Sequence, residues 1–129
     1  MDKVQHWLNL CDEDVLTARV LLREKRLLPA GFFCHLIAEK ALKAVIASVA
    51  NETPPYIHHL KQLSIKAELY DDLSESQLEL LKELQPLNIE ARYSEYKSSI
   101  AETLSIEKLT RLLKETEGFL CWIKQRLEK

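Results

Sequence analysis

The sequence is poor in residues that interrupt helices, and it lacks the signals of membrane insertion and secretion. It has 2 glycines and 4 prolines in 129 residues, which argues against a fold built from many tight turns. No segment approaches the ~18–20 uninterrupted apolar residues of a membrane span. The opening stretch, MDKVQHWLNLCDEDV, has neither the basic start nor the apolar run of a signal peptide. We therefore expect a cytoplasmic protein with no membrane association.

An excess of charge of one sign is also absent, and cysteine is scarce. The chain has 18 lysines and arginines against 20 aspartates and glutamates, a net charge of −2. Charge alone would therefore not hold duplex nucleic acid. Cys11, Cys34 and Cys121 make an odd number without a close pair. We expect reduced, partly buried thiols rather than a disulfide or a metal site.

What the sequence does contain is apolar residues in helical patterns. Hydrophobic residues make up 47% of the chain, and the dominant residues (leucine, glutamate, lysine and alanine) are helix formers. A chain of this length holds one core of ordinary size. We predict a single all-α domain over residues 1–129, an antiparallel helical bundle of four to five helices.

Prolines and capping residues place the predicted helix ends. Pro29 disfavours helix at the residue before it and can itself start a helix, and Pro54-Pro55 ends the second helix. Ser74 and Gln77 form a capping-box pattern, and Ser105 has the position of an N-cap. The predicted helices cover about residues 2–28, 30–49, 58–69 and 74–86, then a last helix after Ser105, with residues 87–99 as an ordered connection.

The first and last helices each carry one apolar stripe that should face the core. The spacing of three and four residues is that of a single helix face. Trp122 falls off the stripe of the last helix and is a candidate dimer contact. The predicted inner faces are Val4, Leu8, Cys11, Val15, Ala18 and Leu22 in the first helix, and Leu109, Leu112, Leu113, Thr116, Leu120, Ile123 and Leu127 in the last.

The second helix is apolar over most of its circumference but carries one narrow polar stripe. His35, Glu39 and Lys43 are four residues apart and share a face, with Lys40 beside them. Such a helix is usually central in a bundle. Glu39 and Lys43 are either an exposed i,i+4 ion pair, or part of a charged cluster in a groove or at a two-fold interface, where Lys40 or Lys43 meets an anion.

Arg92 and Tyr93 lie in a segment without helical period and are a second pair of candidates. A guanidinium group offers a planar fork for phosphate or carboxylate, and a tyrosine can stack on a base. Alternatively, Arg92 pairs with a carboxylate such as Glu39 or Glu90. The adjacent His58 and His59 would point about 100° apart on a helix, which is poor geometry for one metal ion. We predict no metal site and no cofactor.

Three segments together resemble the HEPN domain family: AEKALKAVI (38–46), IHHLKQL (57–63) and LNIEARYSEY (87–96). Trp7, the acidic residues Asp12 and Asp14, and Ala18 also lie where these domains have a tryptophan, an acidic residue and a small residue. The resemblance covers nearly the whole chain. It implies a small helical bundle, often a homodimer. It also implies a nucleotide- or RNA-interacting partner of a minimal nucleotidyltransferase, in a toxin–antitoxin-like pair.

Some members of this family are metal-independent ribonucleases, which carry an arginine followed, after four to six residues, by a histidine. No arginine in this sequence has a histidine at that distance. We therefore predict no catalytic residues of that kind. Two alternatives stay open: a degenerate ribonuclease toxin that uses Arg92 with the distant His58, and a purely structural dimerisation module whose charges are only solvated.

We predict that five residues line any ligand-binding site. Lys43 and Arg92 would hold phosphate, and Tyr93 would stack. Glu39 and His58 would orient the others. His58 has a second interpretation, in which it only caps or packs at the start of the third helix.

Overall fold

The computed structural model describes residues 2–50, 53–88 and 99–128, and within these residues the chain is helical without strands. The all-α prediction is confirmed, and the helices form a bundle. Two short 3-10 helices cover Tyr70–Asp72 and Gln85–Leu87. The α-helices are α1 (Lys3–Arg23), α2 (Leu27–Ala50), α3 (Leu60–Lys66), α4 (Glu75–Leu84) and α5 (Ile106–Leu127).

Helix α2 is the centre of the bundle, as its nearly uniform apolar surface predicted. It packs against α1 along most of its length, and also against α5, α3 and α4. Its largest fully buried apolar side chains are Ile37 and Leu42. Because neighbours cover α2 on several sides, its polar stripe lies inside the protein and not on its surface.

The apolar stripes of the outer helices face this centre. In α1 the predicted residues Leu8, Cys11, Val15 and Ala18 are buried. In α5 the predicted face is buried from Leu109 to Ile123, and Phe119 joins it. Trp122 lies beside this face and is half-buried, with its ring stacked on Phe119 at a centroid distance of 6.0 Å.

Three side-chain caps fix where helices begin, and those at Ser74 and Ser105 were predicted. Asp2 accepts a hydrogen bond from the backbone N–H of Gln5 at 2.7 Å, which caps α1. Ser74 forms the complete capping box with Gln77 at the start of α4. Ser105 accepts from the backbone N–H of Lys108 at 3.0 Å and caps α5. Each side chain satisfies a backbone donor that the helix leaves without an internal partner.

The predicted break between the first two helices was placed too late. Helix α1 ends at Arg23, and α2 begins at Leu27, so Leu28 belongs to α2. The turn is made at Lys25, whose φ of 60° is in the left-handed region that ends helices. Pro29 lies in the first turn of α2, where its missing N–H has no intrahelical role.

The third helix is shorter than predicted. It covers Leu60–Lys66 instead of residues 58–69, because Glu68 adopts a φ of 59° and stops it. Asp71 and Asp72 lie in the 3-10 helix Tyr70–Asp72. The predicted connection over residues 87–99 falls mostly on residues 89–98, which lie outside the described residues. Asn51 and Glu52 also lie outside them.

Candidate functional site

The carboxylate of Glu39 is the centre of a polar cluster inside the bundle, which we call the Glu39 cluster (His35, Glu39, Lys43 and His58). Glu39 is 3% exposed and Lys43 is 4% exposed. Lys43 Nζ donates a hydrogen bond to Glu39 Oε2 at 3.1 Å. His58 Nδ1 lies 3.0 Å from Glu39 Oε1. The predicted i,i+4 pair therefore exists, but the interpretation that it is exposed and only solvated is wrong.

The tautomer of His58 follows from its partner. A carboxylate oxygen accepts and does not donate, so Nδ1 of His58 carries a proton. In the neutral ring this leaves Nε2 as a proton acceptor. The side chain of His58 is 44% exposed, so the ring extends from the buried carboxylate to the surface.

His35 lies on the inner side of Glu39 and is fully buried. Its Nδ1 is 3.2 Å from the backbone carbonyl oxygen of Leu84, which only accepts, so Nδ1 carries a proton. Its Nε2 lies 3.3 Å from Glu39 Oε1, but not in the alignment of a hydrogen bond. This contact is attractive when Nε2 is protonated and unfavourable when Nε2 presents a lone pair to the carboxylate.

These contacts keep Glu39 ionised. Burial alone would raise its pKa. The contacts with His58 and Lys43, and with His35 when its Nε2 is protonated, lower the pKa by more, so it falls from 4.5 to about 2. At neutral pH Glu39 is therefore an anion, and its charge is balanced by Lys43 beside it.

Two aromatic rings enclose the ammonium group of Lys43. Its Nζ lies 5.6 Å from the ring centroid of Trp7 and 5.7 Å from that of Tyr56. Tyr56 is 91% exposed and also contacts the His58 ring edge-on, at a centroid distance of 5.1 Å. In this arrangement Lys43 contacts Glu39 and the two rings, and a ligand would meet Tyr56 and His58 first.

A cavity of about 490 Å³ opens beside the Glu39 cluster and has Trp7 in its wall. Asp2, and Lys3 and His6 of α1, also line it, together with Thr53 and Pro54. The cavity therefore has groups of both charges in its wall and an aromatic ring next to Lys43.

The other residues of the predicted stripe and of the acidic pair form ion pairs between helices. Lys40 donates to Asp14 of α1 at 2.7 Å, and Asp14 is buried. Asp12 pairs with Lys124 of α5 at 2.7 Å on the exposed surface. Lys40 is thus committed to a neighbouring helix, and the anion-binding role considered for it does not fit this contact.

The structure separates the roles of the two adjacent histidines. His59, not His58, is the N-cap of α3, and its Nδ1 accepts from the backbone N–H of Gln62 at 3.4 Å. His58 instead reaches back to Glu39. The capping interpretation is therefore wrong for His58, because His59 is the cap.

Of the five predicted site residues, Glu39, Lys43 and His58 come together. Arg92 and Tyr93 lie outside the described residues, as does Glu90, so their predicted roles stay predictions. Sequence reasoning missed Trp7 and Tyr56 as neighbours of Lys43. Aromatic character and, for Trp7, the family resemblance were signals, but neither predicted these contacts, because they join three separate segments of the chain.

Metal clusters and membrane-spanning helices are both absent from residues 2–50, 53–88 and 99–128. No three His, Cys, Asp or Glu side chains in these ranges come together in a way that could hold a metal ion. None of the helices in the same ranges has the length and apolar content that crossing a bilayer requires.

Comparison with known proteins decides the family. The model of the HEPN domain matches residues 4–127. The chain belongs to the HEPN domain family. Membership of the HEPN family supports a function related to nucleotides or RNA in general terms. No curated protein matches the chain.

The HEPN fold is also found in a solved structure that resembles this one. The crystal structure of TT1696 from Thermus thermophilus superposes with a TM-score of 0.79. The match covers 97% of this chain and 98% of that chain, at 20% sequence identity. At this identity the likeness shows the shared HEPN fold alone.

Proposed function

We propose that this protein is a nucleotide- or RNA-interacting partner of a minimal nucleotidyltransferase. It would act in the cytoplasm as a homodimer, in a toxin–antitoxin-like pair. The observation that supports this most is the Glu39 cluster: a buried anion that orients a half-exposed histidine, on the helix that carries the AEKALKA motif. The HEPN family match supports the general class of ligand.

The proposed site divides into a buried support and an exposed rim. Glu39 and Lys43 form the support, since their burial and mutual contact leave them no direct access to a ligand. His58 is on the rim. Arg92 would hold a phosphate by its guanidinium group, and Tyr93 would stack on a base. The sequence had suggested that Lys43 holds phosphate. In this proposal Lys43 instead sets the position of Glu39.

Ligand binding is tested with the purified full chain. ATP is titrated by calorimetry, and a fluorescein-labelled single-stranded RNA by anisotropy. We expect Arg92→Ala to weaken binding about ten-fold, as for loss of one charge-assisted hydrogen bond. Arg23→Ala is the control, because Arg23 is an exposed arginine at the end of α1. Equal affinity in the parent protein and Arg92→Ala would show that the assignment of Arg92 is wrong.

Partnership is tested separately. The chain is mixed with a minimal nucleotidyltransferase from the same genome and analysed by size-exclusion chromatography with light scattering. We expect a stable complex of defined stoichiometry, and twice the mass of one chain when the protein is alone. Two independent peaks at micromolar concentration would contradict the partnership, and a monomer would contradict the homodimer.

The ribonuclease alternative has one specific observation in its favour. Glu39 holds Nδ1–H of His58, so the neutral ring presents Nε2 as a proton acceptor at the surface. A histidine oriented in this way can act as a general base on a ribose hydroxyl. The test is cleavage of RNA by the pure protein in EDTA, with His58→Ala as the inactive variant and His59→Ala as the control. RNA that stays intact with the parent protein rules this alternative out.

A further inference from the structure

A groove of about 540 Å³ lies between α3 and α4 and shares no lining residue with the Glu39 cluster. Its apolar surface comes from Leu78 and Leu81 of α4, from Pro86 and from the ring of Tyr70. The volume is within the range of roughly 300–1,000 Å³ that small-molecule sites occupy. The groove can therefore accept an apolar body of modest size.

The polar side chains at the edge of the groove present donors. Gln85 Oε1 accepts a hydrogen bond from the backbone N–H of Leu60 at 2.8 Å, so the amide NH₂ of Gln85 remains as the donor group. His59 Nδ1 accepts the backbone N–H of Gln62, so in the neutral ring Nε2 carries the proton. The two side chains that cap and brace the start of α3 thus both offer N–H groups.

Two lysines add positive charge from opposite walls, Lys61 from α3 and Lys82 from α4. Neither forms an ion pair with any residue in the part of the chain that the structure describes. Lys61 Nζ lies 5.5 Å from the ring centroid of Tyr70, above the apolar floor. Against these donors the lining offers one carboxylate, that of Glu79.

We propose that the groove between α3 and α4 binds a small amphipathic anion, with its apolar body on Leu78 and Leu81 and its carboxylate or phosphate between Lys61 and Lys82. An excess of donors calls for a ligand that supplies acceptors, and two cations call for negative charge. The volume of about 540 Å³ corresponds to a small molecule and not to a partner helix. The site is independent of the proposed nucleotidyltransferase partnership.

The first test compares three probes with one ring system. These are 1-naphthyl phosphate, 1-naphthoate and the neutral 1-naphthalenemethanol, each titrated into the full chain and followed by ¹H–¹⁵N correlation spectra. We expect at least one anion to shift amide signals of α3 and α4, with the alcohol binding at least about ten-fold more weakly. Binding of the phosphate alone or of the carboxylate alone supports the proposal and identifies the head group.

The second test uses exposed substitutions that leave the core intact. Lys61→Gln and Lys82→Gln are each expected to weaken binding of the anionic probe about ten-fold. Lys114→Gln, an exposed lysine on α5, should bind like the parent protein. Signals of α3 and α4 report on the groove and signals around His58 report on the other site, which separates failure of this proposal from failure of the proposed function.

Three results would overturn the proposal. The first is equal affinity for the alcohol and the anions, which would leave an apolar surface without an anion site. The second is a set of shifts centred on His58 instead of the groove. The third is unchanged affinity in both lysine variants, provided that their spectra show the parent fold.

Discussion

His58 Nδ1 lies 3.0 Å from Glu39 Oε1, although 19 positions separate the two residues in the chain. The contact joins the loop before α3 to the most buried helix of the bundle. It also couples an exposed ring to a carboxylate that is ionised at all physiological pH values. A change in the charge of Glu39 therefore alters the environment of the His58 ring at the surface.

The first prediction concerns the charge of Glu39. Glu39→Gln leaves the buried ammonium of Lys43 without its anion, and we expect the free energy of unfolding to fall by about 3 kcal/mol. The double variant Glu39→Gln/Lys43→Met should recover part of this loss, because it removes both charges. Urea denaturation measures both. The control is Asp12→Asn in the exposed pair with Lys124, which should cost less than about 1 kcal/mol.

Acid sensitivity provides the second prediction. Because folding lowers the pKa of Glu39 from 4.5 to about 2, this group stabilises the folded state above pH 4.5 and loses that effect as the pH falls toward 2. The contribution is about 3 kcal/mol. The difference in unfolding free energy between the parent and Glu39→Gln should therefore shrink across this window. A difference that stays constant from pH 5 to pH 2 would contradict the role given to His35, His58 and Lys43.

The adjacent histidines allow a matched comparison. His58→Ala removes one hydrogen-bond donor from Glu39, so the pKa of Glu39 should rise and acid unfolding should begin at a higher pH. His59→Ala removes the N-cap of α3, so it should cost about 0.5–1 kcal/mol at every pH without shifting the acid profile. Carboxyl ¹³C titration of Glu39 distinguishes them. Equal shifts in both variants would count against the separation of their roles.

Thiol chemistry is the subject of the fourth prediction. Burial raises the pKa of Cys11 and of Cys34 to about 12, so neither is a thiolate at pH 8, and neither is accessible to reagents. Cys121 is exposed on α5. Ellman's reagent should therefore titrate one thiol in the folded protein and three in guanidinium chloride. The folded Cys121→Ser variant should not react. Rapid reaction of Cys11 or Cys34 in that variant would show that the core opens.

Much of the bundle could be predicted from the sequence because its helices follow simple patterns. The stripe from Leu8 to Ala18 and the capping box at Ser74 are local features, and both are present. The helix ends just before Lys25 and Glu68 were not predictable in the same way. Both residues adopt positive φ without being glycine or asparagine, so their residue types do not predict the turn.

The Glu39 cluster was predictable only in part. The spacing of His35, Glu39 and Lys43 placed them on one face, but burial of that face depends on how α1 and the loop before α3 pack on it. The enclosure of Lys43 by Trp7 and Tyr56 is a contact of that long-range kind. The choice between His58 and His59 as the cap rests on the backbone angles at one residue, φ −84° and ψ 112° at His59.

The buried pairing of Glu39 with Lys43 also has a consequence for the history of the sequence. A single replacement at either position leaves an unbalanced charge in the interior, whereas the simultaneous replacement of both does not. The two positions are therefore expected to change together or not at all as the protein diverges in different lineages. Asp12 and Lys124 form an equally direct pair, but in solvent. Either residue can therefore be replaced without a matching change in the other.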